Sequence, residues 1–269
     1  MSELRAMIER RITFTLDDEG LPAWKLNRLK TLAGHFRSVV VIHNISQLRM
    51  ANAEQAMRMM SLGSMPGDLC QLMIEGSDAE LACMVLTDFI SEHSHLICTG
   101  HRHLSQLEGK GKIVLPFDYE LSHIPQLSQF SVVSLDKSDV LMQISRQCAP
   151  NQPDKANRLL EQMQAREAIS STAMGNGVAL PHILTPDVEV PTLVLAPLEQ
   201  PIEWGSKRGP VSCVVGLVLP APPQREYLLA FSSFSKRLLE PDFCQLLTEN
   251  ARPEVLRAVV LDSLSQPFR

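Results

Sequence analysis

The segment Ser171-Thr-Ala-Met-Gly-Asn-Gly-Val-Ala-Leu-Pro-His182 decides how this chain is interpreted. It joins two hydroxyls, two closely spaced glycines and a proline to a single histidine. Neutral imidazole is a good nucleophile near neutral pH, and backbone N–H groups around glycines can form a nest that binds anions. The proline restricts the backbone just before the imidazole. The segment therefore predicts a surface histidine, His182, that carries a phosphoryl group.

The residues around this histidine supply groups that can bind phosphate. Ser171 and Thr172 can donate hydroxyl hydrogen bonds, and Arg166 can compensate charge with its planar guanidinium. The alternative is that the glycines only form a turn and that His182 is an ordinary surface residue, because short motifs also occur by chance. The predicted phosphate-binding residues are Ser171, Thr172, Gly175 and Gly177.

Composition bounds the class of protein. A chain of 269 residues with 45% hydrophobic residues is long enough for two domains, and its net charge of −5 gives no reason to expect binding to nucleic acid. Charged residues interrupt the start of the chain, and no apolar run is long enough to span a bilayer, so we expect neither a secretory signal nor a membrane span. The six cysteines are scattered without a C-x-x-C pair, which favours a reducing cytoplasm.

The first part of the chain, residues 1–93, combines strand and helix patterns. Ile12-Thr-Phe-Thr-Leu16 alternates with period two, and a helix with Pro22 near its first turn follows it. Ser77 and Glu80 have the spacing of a capping box that opens a later helix. Further elements are predicted at 38–43, around Leu48 and Met50, in the methionine-rich stretch after Asn52, and around Cys70, Leu72 and Ile74. This order predicts an α+β sandwich with its helices on one face of the sheet.

The remainder divides into a connector and a second domain. Glycines and prolines interrupt residues 94–130, for which we predict a connector with a short strand at Lys112 to Leu115. Residues 131–269 alternate helices with apolar strands and predict an α/β layered domain. The expected elements are helices around Val140, from Pro153, at 224–239, at 241–247 and at 253–264, and strands at 192–196 and 212–219.

Two motifs in the second domain resemble those of a known family. The first is the pattern R-E, three residues, S-T, two residues, G-x-G-x-A-x-P-H, represented by Arg166-Glu167, Ser171-Thr172, Gly175, Gly177, Ala179, Pro181 and His182. The second, Pro201-Ile202-Glu203-Trp204-Gly205, resembles the segment P-I-D-W-G. Residues 131–266 therefore resemble the enzyme IIA domain of the fructose/mannitol/nitrogen-regulatory class of the bacterial phosphoenolpyruvate-dependent sugar phosphotransferase system (PTS).

One departure from that family concerns a second histidine, which the family usually carries in an E-H-L segment beside the active one. This chain has Glu226-Tyr227-Leu228 instead. A tyrosine can donate a hydrogen bond to phosphate but cannot supply the charge of an imidazolium. Tyr227 is therefore either a supporting residue of the site or an amphipathic residue that fills space between helices.

The first domain resembles the histidine phosphocarrier protein (HPr) of the same system, from about Arg11 to Ser91. The family's active loop reads G-L-H-A-R-P-A, whereas this chain has Gly20-Leu-Pro-Ala-Trp-Lys-Leu26. Pro22 replaces the phosphorylated histidine, Trp24 replaces the arginine, and Gln55 stands at the regulatory serine position. Proline has no nucleophile, so this domain is not expected to carry phosphate. Trp24 is predicted to be exposed at the start of the helix, where it is either a docking contact or packs over the connector or the second domain, and the packing role is favoured.

Together the resemblances imply an α+β HPr-like open-faced sandwich followed by an α/β layered enzyme IIA domain with a mixed central sheet. They imply a phosphotransferase component in which His182 accepts phosphate from a separate HPr-type phosphocarrier and passes it to an enzyme IIB during sugar uptake. No cofactor is expected. The partner IIB can belong to a membrane-associated complex, although this chain is not expected to span a membrane. The alternative is a non-catalytic regulatory adaptor of the PTS that acts by binding partners.

Two other groups of residues were weighed and given no function. The histidines and the cysteine of the connector have a spacing that no standard zinc site uses, so no metal is predicted; these residues are His93, His95, Cys98, His101 and His103. The methionines Met57, Met59, Met60 and Met65 can line a groove or fill a small core, and the second use is favoured.

Overall fold

Alternating residues place Ile8–Leu16 in an extended strand, β1, which lies between two other strands of the first sheet. The computed structural model describes residues 8–99, 113, 115, 117–123, 136–250 and 252–269. The chain divides into two units, Met1–Val114 and Leu115–Arg269. Of the strand predicted at Lys112 to Leu115, residues 112 and 114 lie outside the described ones, and Ile113 and Leu115 are buried but belong to no strand.

The first unit is an antiparallel sheet with three helices. Its elements are β1, α1 (Ala23–Ala33), β2 (Val39–Asn44), β3 (Arg49–Asn52), α2 (Ala56–Met60), β4 (Leu69–Gly76), α3 (Ala79–His93) and β5 (Ser94–Thr99). The strands are ordered β3-β2-β4-β1-β5, and every described pair is antiparallel. The α+β architecture predicted for this part of the chain is confirmed.

The core of the first unit forms on one face of this sheet. Ile12, Phe14 and Leu16 occupy alternate positions of β1 and are fully buried in one cluster with Leu29 of α1 and Leu86 of α3. The period of two in the sequence thus selects the face that receives the helices. Each such buried side chain stabilises the fold by about 1.5–3 kcal/mol relative to an exposed one.

Two details of the first unit differ from the sequence-based expectations. The predicted Ser77/Glu80 capping box is wrong, because α3 is capped by Asp78 without a side-chain hydrogen bond to the helix. The Asp78 carboxylate instead accepts hydrogen bonds from the backbone N–H groups of Arg37 and Ser38, at 2.8 and 2.9 Å. In addition, the first part of the predicted connector is strand β5, which pairs with β1 and extends the first sheet beyond residue 93.

The second unit has a mixed sheet flanked by helices. Its elements are β6 (Glu120–His123), α4 (Lys137–Cys148), α5 (Pro153–Ile169), β7 (Ala173–Gly175), β8 (Val178–Ala179), β9 (His182–Thr185), β10 (Thr192–Ile202), β11 (Val211–Pro220), α6 (Arg225–Arg237), α7 (Pro241–Glu249) and α8 (Pro253–Ser265). The strands are ordered β6-β10-β11-β8-β7, and β9 also pairs with β11. The β10–β11 and β7–β8 pairs are antiparallel, whereas β6 runs parallel to β10, and β8 and β9 run parallel to β11. The predicted mixed sheet is therefore confirmed.

Strand β11 organises the part of the second unit that carries the histidine. Its apolar residues are almost all buried, as expected for a central strand covered on both faces. Gly216 allows α4 to approach closely, because a Cβ atom there would lie 2.4 Å from Cγ2 of Ile144. The start of β9 pairs with β11 at Leu217, which places His182 at the edge of this packed layer.

Candidate functional site

The imidazole of His182 is held in a defined orientation. It is the first residue of β9 and follows the buried Pro181. Its Nδ1 lies 2.9 Å from the carbonyl oxygen of Leu180, and a carbonyl can only accept a hydrogen bond. Nδ1 therefore carries the proton in the neutral ring, and Nε2 keeps its lone pair. The geometry makes Nε2 the nucleophilic nitrogen, on a residue that is half-buried.

Arg166 faces that nitrogen from the last turn of α5. Its Nη2 lies 3.4 Å from Nε2 of His182, while its Nη1 donates to both the carbonyl and the hydroxyl of Ser170, at 3.1 Å each. One nitrogen of the guanidinium is thus held by the chain, and the other points to the reactive atom. A guanidinium in this position can bind the oxygens of a phosphoryl group on Nε2.

Thr172 is buried and its hydroxyl is already used. Its N–H donates to both carboxylate oxygens of Glu167 at 3.1 Å, and its hydroxyl donates to Oε2 of the same residue at 2.5 Å. The hydroxyl oxygen also accepts from Nε1 of Trp204 at 3.3 Å. A hydroxyl has one proton to donate, so the side chain of Thr172 has none left for phosphate. Ser171, in contrast, is exposed, and its oxygen accepts from the N–H of Ala173 at 3.4 Å.

The two glycines form the turn of a hairpin. Gly175, Asn176 and Gly177 all have positive φ, at 98°, 51° and 77°, and they connect β7 to β8. The carbonyl of Gly177 accepts from the backbone N–H groups of Ser212 and Cys213, which ties the turn to β11. The structure therefore shows the turn that was weighed as the alternative use of these glycines. Their predicted role in binding phosphate remains a prediction.

An open cleft of about 430 Å³ lies beside the histidine. It is lined by Gln162, Ala165, Arg166, Ile169, His182, Ile183 and Leu184. Its apolar residues include Ile169, which is 82% exposed, and Leu184, which is 50% exposed. Large apolar side chains that stay exposed next to a reactive group are typical of a surface where another protein docks.

Tyr227 lies in the first turn of α6 and is buried. Its ring packs edge-on against Phe117, with 4.9 Å between the ring centroids. Among the contacts of the described residues, none joins its hydroxyl to His182. The structure thus shows a packing contact for Tyr227, and its predicted support of phosphate remains a prediction.

In the loop of the first unit that resembles the phosphocarrier's active loop, Pro22 offers no nucleophilic side chain. Pro22 precedes α1 in an extended conformation, and Trp24 is 49% exposed, as the sequence predicts. The Trp24 ring packs edge-on against His93 at 5.1 Å between centroids. The ammonium of Lys25 is almost fully buried and lies 2.6 Å from a carboxylate oxygen of Asp17. No pattern in the sequence indicates this buried ion pair.

Neither a metal site nor a membrane-spanning helix is found within the described ranges. No three histidine, cysteine or acidic side chains of those residues are grouped so that they could hold a metal ion. His101 and His103 of the connector lie outside the described residues. Among the helices of the described part of the chain, none combines the length and apolarity needed to cross a bilayer.

Two family models and several known proteins match this chain. Residues 125–263 match the family model of the phosphoenolpyruvate-dependent sugar phosphotransferase system, EIIA 2, and residues 8–92 match that of the PTS HPr component phosphorylation site. A nitrogen regulatory protein of Pseudomonas aeruginosa is 29% identical over 140 residues, which are 51% of this chain and 91% of that protein. The solved structure of nitrogen regulatory protein IIA-Ntr from Neisseria meningitidis is 20% identical and covers 53% of this chain and 91% of its own, with a TM-score of 0.41.

The first unit has relatives of a different kind. Multiphosphoryl transfer protein 1 of Escherichia coli is 34% identical over 89 residues, which are 33% of this chain but only 11% of that protein. The chain therefore spans a small fraction of these long relatives. Because the EIIA model covers more than half of its residues and the HPr model matches the part before it, the chain belongs to the EIIA 2 family of the phosphotransferase system, with an HPr domain preceding the EIIA domain.

Proposed function

We propose that the chain is a phosphohistidine carrier in which Nε2 of His182 accepts a phosphoryl group from a separate HPr-type phosphocarrier. The observation that carries this proposal is the position of Nε2 between two fixed groups. Nδ1–H is held by the Leu180 carbonyl, and Arg166 faces Nε2 at 3.4 Å. In the transfer, the bond between phosphorus and the donor's histidine nitrogen breaks as the bond from phosphorus to Nε2 forms. The donor's imidazole keeps the electron pair.

The neighbouring residues have separate roles in this proposal. Arg166 stabilises the charge on the equatorial oxygens of the transferred group, as fixed cationic donors do in phosphoryl transfer. Ser171 is exposed at the same loop and remains a candidate hydroxyl donor. The backbone N–H groups around Gly175 and Gly177 remain candidate donors as well. Tyr227 is assigned to packing because its ring contacts Phe117 and its side chain is buried.

Partner docking is supported by the cleft beside the histidine. The exposed side chains of Ile169 and Leu184 offer an apolar contact surface to an HPr-type carrier and then to an enzyme IIB. We propose that both exchanges take place in the cytoplasm and that the second serves sugar uptake. The proposed division of the chain is an HPr-like domain to about residue 93, a connector at 94–130 and the EIIA domain at 131–269, with β5 packed as part of the first sheet.

A second candidate function is regulation by binding partners. Pro22 removes the nucleophile of the first domain, and the Pseudomonas aeruginosa relative of the second is a nitrogen regulatory protein. In this alternative, phosphorylation of His182 is a signal that is read by partners and is not passed to an enzyme IIB.

Labelling with phosphoenolpyruvate separates the candidates. The full chain is incubated with labelled phosphoenolpyruvate, enzyme I and a phosphocarrier that retains its histidine, and acid-labile phosphate is measured on the chain. We expect label on the wild type and on His35→Ala, a control at an exposed histidine, and none on His182→Ala. An unlabelled wild type contradicts the carrier proposal. Label that is stable in the presence of enzyme IIB candidates supports the regulatory alternative.

A further inference from the structure

Thr172 is linked by hydrogen bonds both to the helix that carries Arg166 and to the segment that carries His182. On one side, Glu167 and Trp204 hold its N–H and its hydroxyl. On the other side, its carbonyl accepts from the N–H of Leu180 at 3.0 Å, and the Leu180 carbonyl accepts from Nδ1 of His182. The position of the imidazole therefore depends, through two successive hydrogen bonds, on the backbone of Thr172.

The same residue fixes the position of Arg166. Glu167 follows Arg166 on α5, and its carboxylate ties the backbone of Thr172 back to that helix. The short loop between them contains Ser170, whose carbonyl and hydroxyl hold Nη1 of Arg166. Because the loop is tied at both ends, Ser170 has little freedom, and Nη2 of Arg166 is directed to His182. A buried carboxylate that accepts from two donors of one residue is expected to hold that residue in one geometry.

A lysine balances the charge of this carboxylate. Nζ of Lys137 lies 3.6 Å from Oε1 of Glu167 and donates to the carbonyl of Trp204 at 3.2 Å. Gly205, the next residue, has a φ of +72°, and a Cβ atom there would lie 3.4 Å from Nζ. Thr172 belongs to the first sequence motif and Trp204 to the second, 32 residues further along the chain. The hydrogen bond between them joins the two motifs in one group.

We propose that Thr172 is a positioning residue for phosphoryl transfer, because it fixes Arg166 and His182 relative to one another. Glu167 and Trp204 hold Thr172 by hydrogen bonds, and Lys137 in turn lies near the Glu167 carboxylate. The inference rests on the proposed function of His182. It replaces the predicted role of the Thr172 hydroxyl as a hydrogen-bond donor to phosphate, because this hydroxyl donates its hydrogen bond to Glu167. The described hydrogen bonds of Thr172 go to Glu167, Trp204 and Leu180, so its proposed effect on Nε2 is indirect.

The test compares two substitutions of similar size in the full chain. Thr172→Val keeps the shape but removes the hydroxyl, and Thr172→Ser keeps the hydroxyl. We expect single-turnover phosphorylation of His182 by the phosphorylated carrier to be slower by about 10- to 100-fold in Thr172→Val, since small misplacements of reacting groups have effects of this size. Thr172→Ser is expected to stay within about threefold of the wild type.

A second measurement does not depend on the transfer. Nitrogen-15 NMR of the unphosphorylated imidazole reports which ring nitrogen carries the proton, and we expect Nδ1–H in the wild type and in Thr172→Ser, with a mixture of tautomers in Thr172→Val. If Thr172→Val does not fold, Lys137→Met, at a partly exposed site, is expected to slow transfer by about threefold or more. Wild-type rates and an unchanged tautomer in folded variants contradict the positioning role while leaving the proposed function intact. A wild type that takes no label contradicts the proposed function, and the NMR comparison then still decides the role of Thr172.

Discussion

The loop before α1 in the first unit and the loop before β9 in the second each use a buried charge, but they use it differently. In the first, the ammonium of Lys25 is held by both carboxylate oxygens of Asp17 and by the carbonyls of Gly20 and His93. In the second, the buried Glu167 holds the loop, while a separate cation, Arg166, faces the histidine.

This difference separates a structural loop from a reactive one. The charge of Lys25 is paired with Asp17 inside the first unit, and Pro22 has no side-chain lone pair that could attack a phosphorus atom. In the second unit, the buried carboxylate of Glu167 binds the loop at Thr172, and the guanidinium of Arg166 faces His182. The first loop can thus keep the shape of a phosphocarrier loop, with Trp24 exposed, without taking part in the proposed transfer.

Removing the surface cation of the second loop is expected to have the largest effect. In Arg166→Met, transfer of phosphate to His182 should slow by about 10²- to 10³-fold, because a fixed donor to the developing charge is lost. Single-turnover labelling measures this rate. Arg158→Met is the matched control on the same helix, since its guanidinium pairs with Asp187 and not with His182. Equal rates for the two variants would mean that Arg166 does not act on the phosphoryl group.

Removing the buried cation of the first loop should affect stability and leave transfer unchanged. Lys25→Met leaves Asp17 and two carbonyls without their donor, and we expect it to lower the free energy of unfolding of the first unit by about 2–3 kcal/mol. This is at the lower end for a buried pair because Asp17 is partly exposed. Urea denaturation of the full chain measures the loss, with the exposed Lys30→Met as control. Loss of His182 labelling in Lys25→Met would instead link the first loop to the chemistry.

The same ion pair predicts a pH dependence of stability. Burial raises the pKa of the Asp17 carboxyl, but the hydrogen bond and the charge of Lys25 lower it by more, so its pKa lies below the ordinary 3.8. The stabilisation is therefore fully present above the unfolded pKa and is lost as the pH falls through the lower folded pKa. We expect unfolding experiments to show this contribution unchanged from pH 7 to 5 and decreasing below about pH 4. Asp17→Asn should reduce that decrease, and a decrease of the same size in this variant would assign it to other carboxyl groups.

Substitutions of the two glycines in the hairpin before His182 should lower stability by smaller and unequal amounts. Gly177→Ala forces a positive φ on a side chain whose Cβ would lie 3.3 Å from Cγ2 of Thr248, and we expect a loss of about 1–2 kcal/mol. Gly175→Ala has a similar backbone strain but open space around its Cβ, so its loss should be smaller. Thermal unfolding compares the two variants. If Gly175→Ala is instead the one that slows labelling, the N–H groups of this turn contact phosphate.

The smallest effect is expected from the tyrosine that replaces the family's second histidine. Tyr227→Phe keeps the ring that packs on Phe117 and removes only the hydroxyl. We expect phosphorylation of His182 to stay within about twofold of the wild type, because a packing role does not use the hydroxyl. Single-turnover labelling decides this, and a tenfold slower transfer would restore Tyr227 as a supporting residue.

Much of this fold can be predicted from local pattern. The period of two in Ile12–Leu16 and the apolar runs of β10 and β11 identify strands without knowledge of their partners. Strand β5 was missed because its residues, Ser94–Thr99, mix polar and apolar side chains and become a strand by pairing with the distant β1. Strand β8 has two residues, which is too short for any periodicity to indicate.

The site could be predicted only in part, for a similar reason. Arg166 and His182 lie in a motif whose spacing indicates their proximity, and the structure brings them together. The two hydroxyls beside them look equivalent in the sequence, but one is buried on Glu167 and the other is exposed. The buried hydroxyl also accepts from Nε1 of Trp204, 32 residues further along the chain, which no local pattern indicates. Lys137 lies outside every sequence motif described above, and only the three-dimensional structure places its ammonium near Glu167.

The comparison of the two loops is tested most directly by mapping phosphate on the full chain. After incubation with phosphoenolpyruvate, enzyme I and a competent phosphocarrier, mass spectrometry under neutral conditions gives the number of phosphoryl groups and their positions. We predict one group per chain, on His182, and none in the first unit. A wild-type chain without phosphate, or with phosphate at any residue of the first unit, would contradict it.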